Sequence, residues 1–399
     1  MRKLLLFGAI CIGIYVAYEV QRIDVPAGFS KPGSLRIVKF IYGGINDLQN
    51  LCVSLGLVSF SDGKRFIFNA LASTSDIFSR DRDWTDATWD NTKVRIYTND
   101  KVEENGPAFV FIHGGGWVSG SPKSHHPVVQ KLFNELQIFT VSLDYKMAPE
   151  HKYPGPEDDC EAAIVYLMKN AKIFKIDPKK IMVGGDSAGG HLSIQMAHRF
   201  VNRPDHLPSL RSIISIYPVT QPYSLSGPSY KVNENHHLLP TENMAKYWSL
   251  YMTGTFEWEE IFRKNLQTKC SYLKELHQSK ILDFHFPNKY DYGKELSENE
   301  ECEYSKEFWD QYGYLFQDDK FSILLKNFTN FPPTFLATMQ YDVLRDDGLL
   351  VLRRLQKYGV KVEHYHDPKG FHVLLNLVDF CLENKQLIGS IVQFIKQHS

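Results

Sequence analysis

Residues 183–190 read Val-Gly-Gly-Asp-Ser-Ala-Gly-Gly, directly after the apolar stretch 181–184 and at the head of a helical pattern over 187–200. The chain must therefore turn from strand into helix within a few residues, and that turn limits the folds open to it. Gly185 and Gly189 flank Ser187 in a Gly-x-Ser-x-Gly pattern. So sharp a turn forces the serine into a strained backbone conformation and admits only small neighbours. The new helix points free N–H groups and the positive end of its dipole at the region beside the serine. Taken alone, the pentapeptide suits a purely structural turn as well as a nucleophile at Ser187.

A second element separates these readings. The buried-strand pattern at 108–112 runs straight into His113-Gly114-Gly115-Gly116-Trp117. Three consecutive glycines let backbone come close to a bound group, and their N–H groups, with that of Ala188, can converge on one oxygen as it becomes negative. The expected oxyanion-hole segment is therefore His113, Gly114, Gly115 and Gly116 with Ala188, His113 organising the loop through hydrogen bonds. A flexible turn would explain neither the preceding strand nor its distance from Ser187.

A nucleophilic serine needs a base, and the base needs a carboxylate to fix its tautomer. Fifteen histidines compete. The chain order Ser, acid, His narrows them to late segments. The apolar strand 333–341 ends in Asp342-Val-Leu-Arg-Asp-Asp, and the strand 360–365 leads to Asp367-Pro-Lys-Gly-Phe-His372. Both put polar residues at the carboxyl ends of strands, where open α/β sheets build their sites. Asp342 is thus the expected acid and His372 the expected base. Asp346 and Asp347 precede the helical run 348–358 and read as N-terminal caps. His364 and His366 share a strand face but lack companion ligands, so a metal site is not expected. Asp186 projects away from the serine along the turn. No cofactor is called for.

With these motifs the chain resembles the hormone-sensitive-lipase family of α/β-hydrolases, in its arylacetamide deacetylase branch. The family's HGGGW loop matches 113–117, its GDSAGG turn 185–190, its Y-R-L-A-P-E segment 145–150, its D-x-L-R-D-D 342–347 and its G-F-H 370–372. Lysine replaces arginine at Lys146, and Val373 follows the histidine where relatives often carry glycine. The resemblance implies hydrolysis of carboxylic esters or small amides through a Ser-His-Asp acyl-enzyme, and residence in the endoplasmic reticulum with the catalytic domain in the lumen. An alternative from another class is a small-molecule receptor on the same fold, as in the gibberellin receptor, which has lost the histidine. A catalytically silent binding protein would not need all three triad positions and both oxyanion elements intact.

The rest of the chain fits a tethered catalytic domain. At 399 residues, 43% hydrophobic and a net charge of −1, it can bury one large core and has no nucleic-acid footprint. Arg2 and Lys3 precede an uncharged run over 4–18, with Glu19, Gln21 and Arg22 following. No Ala-x-Ala-like cleavage site follows, so residues 1–21 are expected to be a signal-anchor holding the chain in a membrane as a single-pass type II protein, and secretion after cleavage is the alternative. Asn327-Phe-Thr is a glycosylation sequon. Six cysteines, Cys11 within the anchor, show no CxxC, and their spacing assigns no disulfide. No feature specifies an oligomeric state. Within the catalytic domain, 22–399, strands alternate with helical stretches, which predicts a mainly parallel sheet with helices on both faces. Cap elements are expected over about 22–89 and 220–330. The aromatics of 284–316, among them Phe286, Tyr290, Tyr292, Phe308, Trp309 and Tyr314, either pack the insertion or cover an acyl pocket. Tethering near lipid favours uncharged, lipophilic substrates.

Overall fold

A computed structural model describes residues 15–78, 83–201, 203, 205–236, 238–286 and 302–399. The uncharged run of the expected anchor, up to residue 14, lies outside them, as do Tyr290, Tyr292 and most of the acidic patch 295–303. Among the described residues, no helix is long and apolar enough to cross a membrane.

Among the described residues, eight strands form one sheet: β1 (Trp84–Trp89), β2 (Thr92–Tyr97), β3 (Gly106–Ile112), β4 (Phe139–Asp144), β5 (Ile176–Asp186), β6 (Ser212–Ile216), β7 (Thr334–Tyr341) and β8 (Val362–Phe371). Their spatial order is β1-β2-β4-β3-β5-β6-β7-β8. The β1–β2 and β2–β4 pairs are antiparallel and all later pairs parallel, as the strand-helix alternation predicts. Strand β1 falls within the stretch 22–89 expected to be cap. Its polar, largely exposed Trp-Thr-Asp-Ala-Thr-Trp run is that of an edge strand, which carries little of the apolar signal that marks interior strands.

The interior strands are buried on both faces, as parallel sheets require. Along β3 the side chains alternate. Val110 and Ile112 join the core beneath the helices Gly155–Lys169 and Ala188–Phe200, while Phe109 and Phe111 join the core beneath His126–Leu136 and Leu382–His398.

Two further layers lie over the carboxyl ends of the strands. The first is the helix pair Pro32–Ser54 and Phe60–Phe78, and the second is built from the insertion, chiefly the helix Thr241–Thr253. The aromatics near its end pack among themselves: Phe308 is buried against Trp258, Phe262 and Tyr312, and Trp309 lies against Tyr272 and Phe316. Cys270 and Cys302 form a disulfide there, a pairing the spacing left open.

Asp346 and Asp347 depart from the expected capping role. They occupy the first turn of Arg345–Lys357, but Asp346 accepts the Ser229 N–H at 2.7 Å and Asp347 the Thr220 N–H at 2.8 Å. Their hydrogen bonds fasten the start of the insertion to the sheet instead of closing their own helix.

Candidate active site

Ser187 sits between β5 and the helix Ala188–Phe200 with φ 55° and ψ −120°, a conformation a non-glycine residue holds only where its surroundings impose it. Its N–H donates to the Ile216 carbonyl at 2.9 Å. The glycines are obligatory by space: a Cβ on Gly185 would stand 2.1 Å from the Ile112 carbonyl oxygen, and one on Gly189 would stand 1.9 Å from the same atom. Packing of the turn against the end of β3 therefore dictates both flanking residues of the Gly-x-Ser-x-Gly pattern.

Asp342 follows β7 and His372 follows β8, so the parallel register brings both to the carboxyl edge beside Ser187. His372 Nε2 lies 3.0 Å from Ser187 Oγ, and its Nδ1 lies 2.8 Å from Asp342 Oδ2. The other carboxylate oxygen of Asp342 accepts the Leu344 N–H at 2.9 Å, which fixes the carboxylate plane. The ring of Tyr217 covers His372 with centroids 4.8 Å apart. Val373 adopts φ 64°, the left-handed region. That conformation suits glycine, and a β-branched side chain holds it only under constraint.

The glycine loop folds over the serine. A Cβ on Gly115 would meet the Ser119 carbonyl oxygen at 2.1 Å, and one on Gly116 the Tyr247 ring at 2.5 Å. Gly114 departs from the expected oxyanion role, because its N–H donates to Asp186 Oδ1 at 2.9 Å and cannot serve a ligand at the same time. The N–H groups of Gly115, Gly116 and Ala188 have no acceptor among the described residues. His113 is buried beneath the loop, stacked on Tyr145 at 4.4 Å, and its carbonyl accepts the Tyr145 hydroxyl at 3.0 Å. Burial, reinforced by nearby His125, pulls its pKa down to about 3 and keeps the ring neutral.

Asp186 joins three segments. Besides the Gly114 amide it accepts from Asn376 Nδ2 at 3.2 Å, and His125 Nε2 lies 3.4 Å away. Burial pushes its carboxyl up, but nearby His125 and the hydrogen bonds from Gly114 and Asn376 outweigh this and hold it below the usual carboxylate range. The sequence reading missed His125, Asn376 and Tyr217. Asn376 lies four positions after His372, a spacing that gives no signal until the loop's path is known.

A narrow cavity of about 30 Å³ opens onto Ser187 and His372. Its apolar walls come from Tyr42 and Phe68 of the N-terminal helices and from Leu238, Leu239, Met244 and Tyr247 of the insertion. None of the described aromatics of 284–316 lines it. A larger depression of about 290 Å³, lined by Phe328, Phe331, Tyr358 and Lys361 among others, lies at the opposite ends of β7 and β8 and is lined by no serine, histidine or carboxylate. Thr338 Oγ1 stands 2.9 Å from a ring nitrogen of both His364 and His366, and no group of three metal-ligating side chains occurs among the described residues.

A nucleophile-type turn, a histidine bonded to both serine and carboxylate, and a mainly parallel sheet together define the α/β-hydrolase class. The chain belongs to that family: a profile described as alpha/beta hydrolase fold matches residues 109–282 and 285–376. It is 30% identical to arylacetamide deacetylase of Oryctolagus cuniculus, over 92% of this chain and 93% of the relative. It is 28% identical to neutral cholesterol ester hydrolase 1 of Pongo abelii, over 92% and 91%. Among solved structures it is similar to an esterase of Pyrobaculum calidifontis, with a TM-score of 0.64 at 22% identity, covering 88% of this chain and 97% of the other.

Proposed function

We propose that Ser187 is the nucleophile, His372 the general base and then acid, and Asp342 the orienting carboxylate of a serine hydrolase that cleaves carboxylic esters through an acyl-enzyme. The observation that carries this reading is the continuous hydrogen-bonded chain from Ser187 Oγ through both nitrogens of His372 to Asp342. In acylation, His372 Nε2 takes the Ser187 proton as Oγ attacks the ester carbonyl. The carbonyl oxygen becomes negative, and the N–H groups of Gly115, Gly116 and Ala188 stabilise it. His372 then protonates the leaving alcohol. Water repeats the sequence on the acyl-enzyme and releases the acid. His113, Gly114 and Asp186 shape the loop.

The relatives' names, a deacetylase and a cholesterol ester hydrolase, together with the apolar cavity walls, favour uncharged, lipophilic esters, with small amides as a second substrate class. The intact His372 disfavours a receptor that binds its ligand without cleaving it. For location, the reading is a single-pass type II anchor over residues 1–21 with the domain in the lumen of the endoplasmic reticulum. The Cys270–Cys302 disulfide supports an oxidising compartment, and the exposed Asn327 leaves its sequon open to glycosylation.

A fluorophosphonate probe tests the chemistry. It should label the wild type and not Ser187→Ala, whose turnover should fall to the level sustained by binding and oxyanion stabilisation alone. Equal labelling of the variant would remove Ser187 from its role. Mass spectrometry of the mature N-terminus tests the anchor, and a new terminus near Glu19 would mean cleavage and secretion.

A further inference from the structure

The helix Pro32–Ser54 buries Leu35 against the protein, yet carries an uncovered apolar line along its outer side. Its buried positions include Lys39, whose Nζ donates to the Asp24 carbonyl at 2.9 Å, and Gln49, whose Nε2 donates to the Phe60 carbonyl at 3.1 Å. Its outer face carries Ile37, Ile41, Gly44, Leu48 and Leu51, continued by Leu55 just past its end, at alternating intervals of four and three that hold them on one line of an α-helix. The five large side chains are between 52% and 63% exposed, and Leu57 and Phe66 extend the patch at 72% and 74%. A helix in water turns apolar side chains inward and lysine outward. A continuous exposed apolar stripe, on a helix that buries Lys39 and Gln49, marks a surface that does not face water.

We propose that this stripe lies in the headgroup–acyl boundary of a phospholipid bilayer as an in-plane helix, so that acyl substrates pass from the lipid to Ser187 by way of Tyr42 and Phe68. Two further observations select lipid as the occupant. The chain before the stripe is an uncharged run over 4–18 that continues as a helical segment over 15–22 with Tyr15 and Tyr18 exposed, the aromatic type that gathers at membrane interfaces. Only residues 23–31 separate that segment from the stripe-bearing helix, a reach of at most about 30 Å fully extended. The same helix pair walls the cavity through Tyr42 and Phe68, so seating the stripe in lipid puts the cavity mouth at the lipid surface.

The substrate readout rests on the esterase reading, so the test has a second arm independent of it. The full chain is reconstituted in phosphatidylcholine vesicles, as wild type and as Leu48→Asp/Leu51→Asp. Turnover of a water-soluble acetate ester should stay within about twofold, while turnover of a long-chain ester dissolved in the bilayer should fall at least about tenfold. In the second arm, Leu48→Trp adds one indole to the stripe, and brominated phosphatidylcholine should quench the added emission. No fall with the bilayer ester, an equal fall with both esters, or an added indole that brominated lipid leaves unquenched would overturn the proposal. So would conversion of a wild-type dimer to a monomer by the double substitution, which would assign the stripe to a second copy of the chain. A wild type inactive on both esters, with the added indole of Leu48→Trp still quenched, would refute the esterase reading and leave the docking intact. Release of wild type from vesicles at alkaline pH would refute the anchor alone.

Discussion

Glu157 is a buried acid behind the nucleophile helix, and replacing it with glutamine should make the protein more stable at neutral pH. It lies at the start of the helix Gly155–Lys169 and is fully buried. Its Oε1 accepts the Tyr251 hydroxyl, with His191 Nε2 of the nucleophile helix 3.8 Å away, while its Oε2 has no hydrogen-bond partner among the described residues. Burial pushes its pKa up to about 7, against the opposing hydrogen bond from Tyr251. A carboxyl whose folded value is raised holds its proton longer in the native than in the unfolded chain. Its contribution is therefore fully present below about 4.5 and is lost as pH rises through about 7. The span of about 2.5 pH units corresponds to about 3 kcal/mol. Buried Asp347, also raised to about 7, acts in the same direction, whereas His113 and His191, pulled down to about 3, act oppositely, so the wild-type profile alone isolates nothing. The difference between variant and wild type does, because the other groups cancel. Urea unfolding of Glu157→Gln and wild type at pH 5, 6, 7 and 8 should give a stability difference that grows in the variant's favour by about 1.4 kcal/mol per unit and levels off above about 7. Glutamine keeps an acceptor for Tyr251 at nearly the same volume, so cavity formation does not enter. A difference flat across the range would show that Glu157 titrates normally and would refute the account.

Asp342→Asn should lower kcat by about 10⁴-fold, since an amide leaves the imidazole in the wrong tautomer. Asp346→Asn, which loosens the Arg345 and Ser229 contacts, should lower the melting temperature and leave the activity of folded molecules near normal; kinetics with thermal melts on both variants decides this, and the reverse pattern would displace Asp342. Val373→Gly should be neutral or stabilising. Relief of about 1–3 kcal/mol of left-handed strain offsets the roughly 1 kcal/mol of extra backbone entropy. Because Val373 also walls the cavity, the same variant should raise kcat/KM for bulky acyl esters relative to acetate; an unchanged ratio would show that the side chain does not limit the acyl site. Trp309→Ala should destabilise the insertion and scale activity on short and long acyl esters equally, because Trp309 packs on Tyr272 and Phe316; a selective loss on long chains would contradict that.

The parts of this molecule legible in the sequence are those where backbone geometry admits few residue types. The turn at Ser187 needs Gly185 and Gly189 because the end of β3 passes within about 2 Å of where a Cβ would be, so the spacing itself reports the packing. The positions of Asp342 and His372 followed from chain order and from their places after strands, and the register of β6, β7 and β8 brings those strand ends together. Gly114 shows the limit of that reasoning. Three glycines signal close approach of backbone to something, but not which amide an internal carboxylate takes, and Asp186 takes the first. The contacts of Asp346 and Asp347 were hidden for the same reason, since their partners, Ser229 and Thr220, lie more than a hundred positions earlier. The helix Pro32–Ser54 shows a deeper limit. A period of three and four reveals that a helix has two faces, and convention then assigns the apolar face to the core. Only the burial of Lys39 and Gln49 beside the exposure of Leu48 and Leu51 reveals that part of the apolar face is left uncovered. A hydrophobic pattern specifies that one face avoids water. Whether it does so against protein or against lipid is decided by the neighbours, which a linear reading of residues 22–89 does not contain.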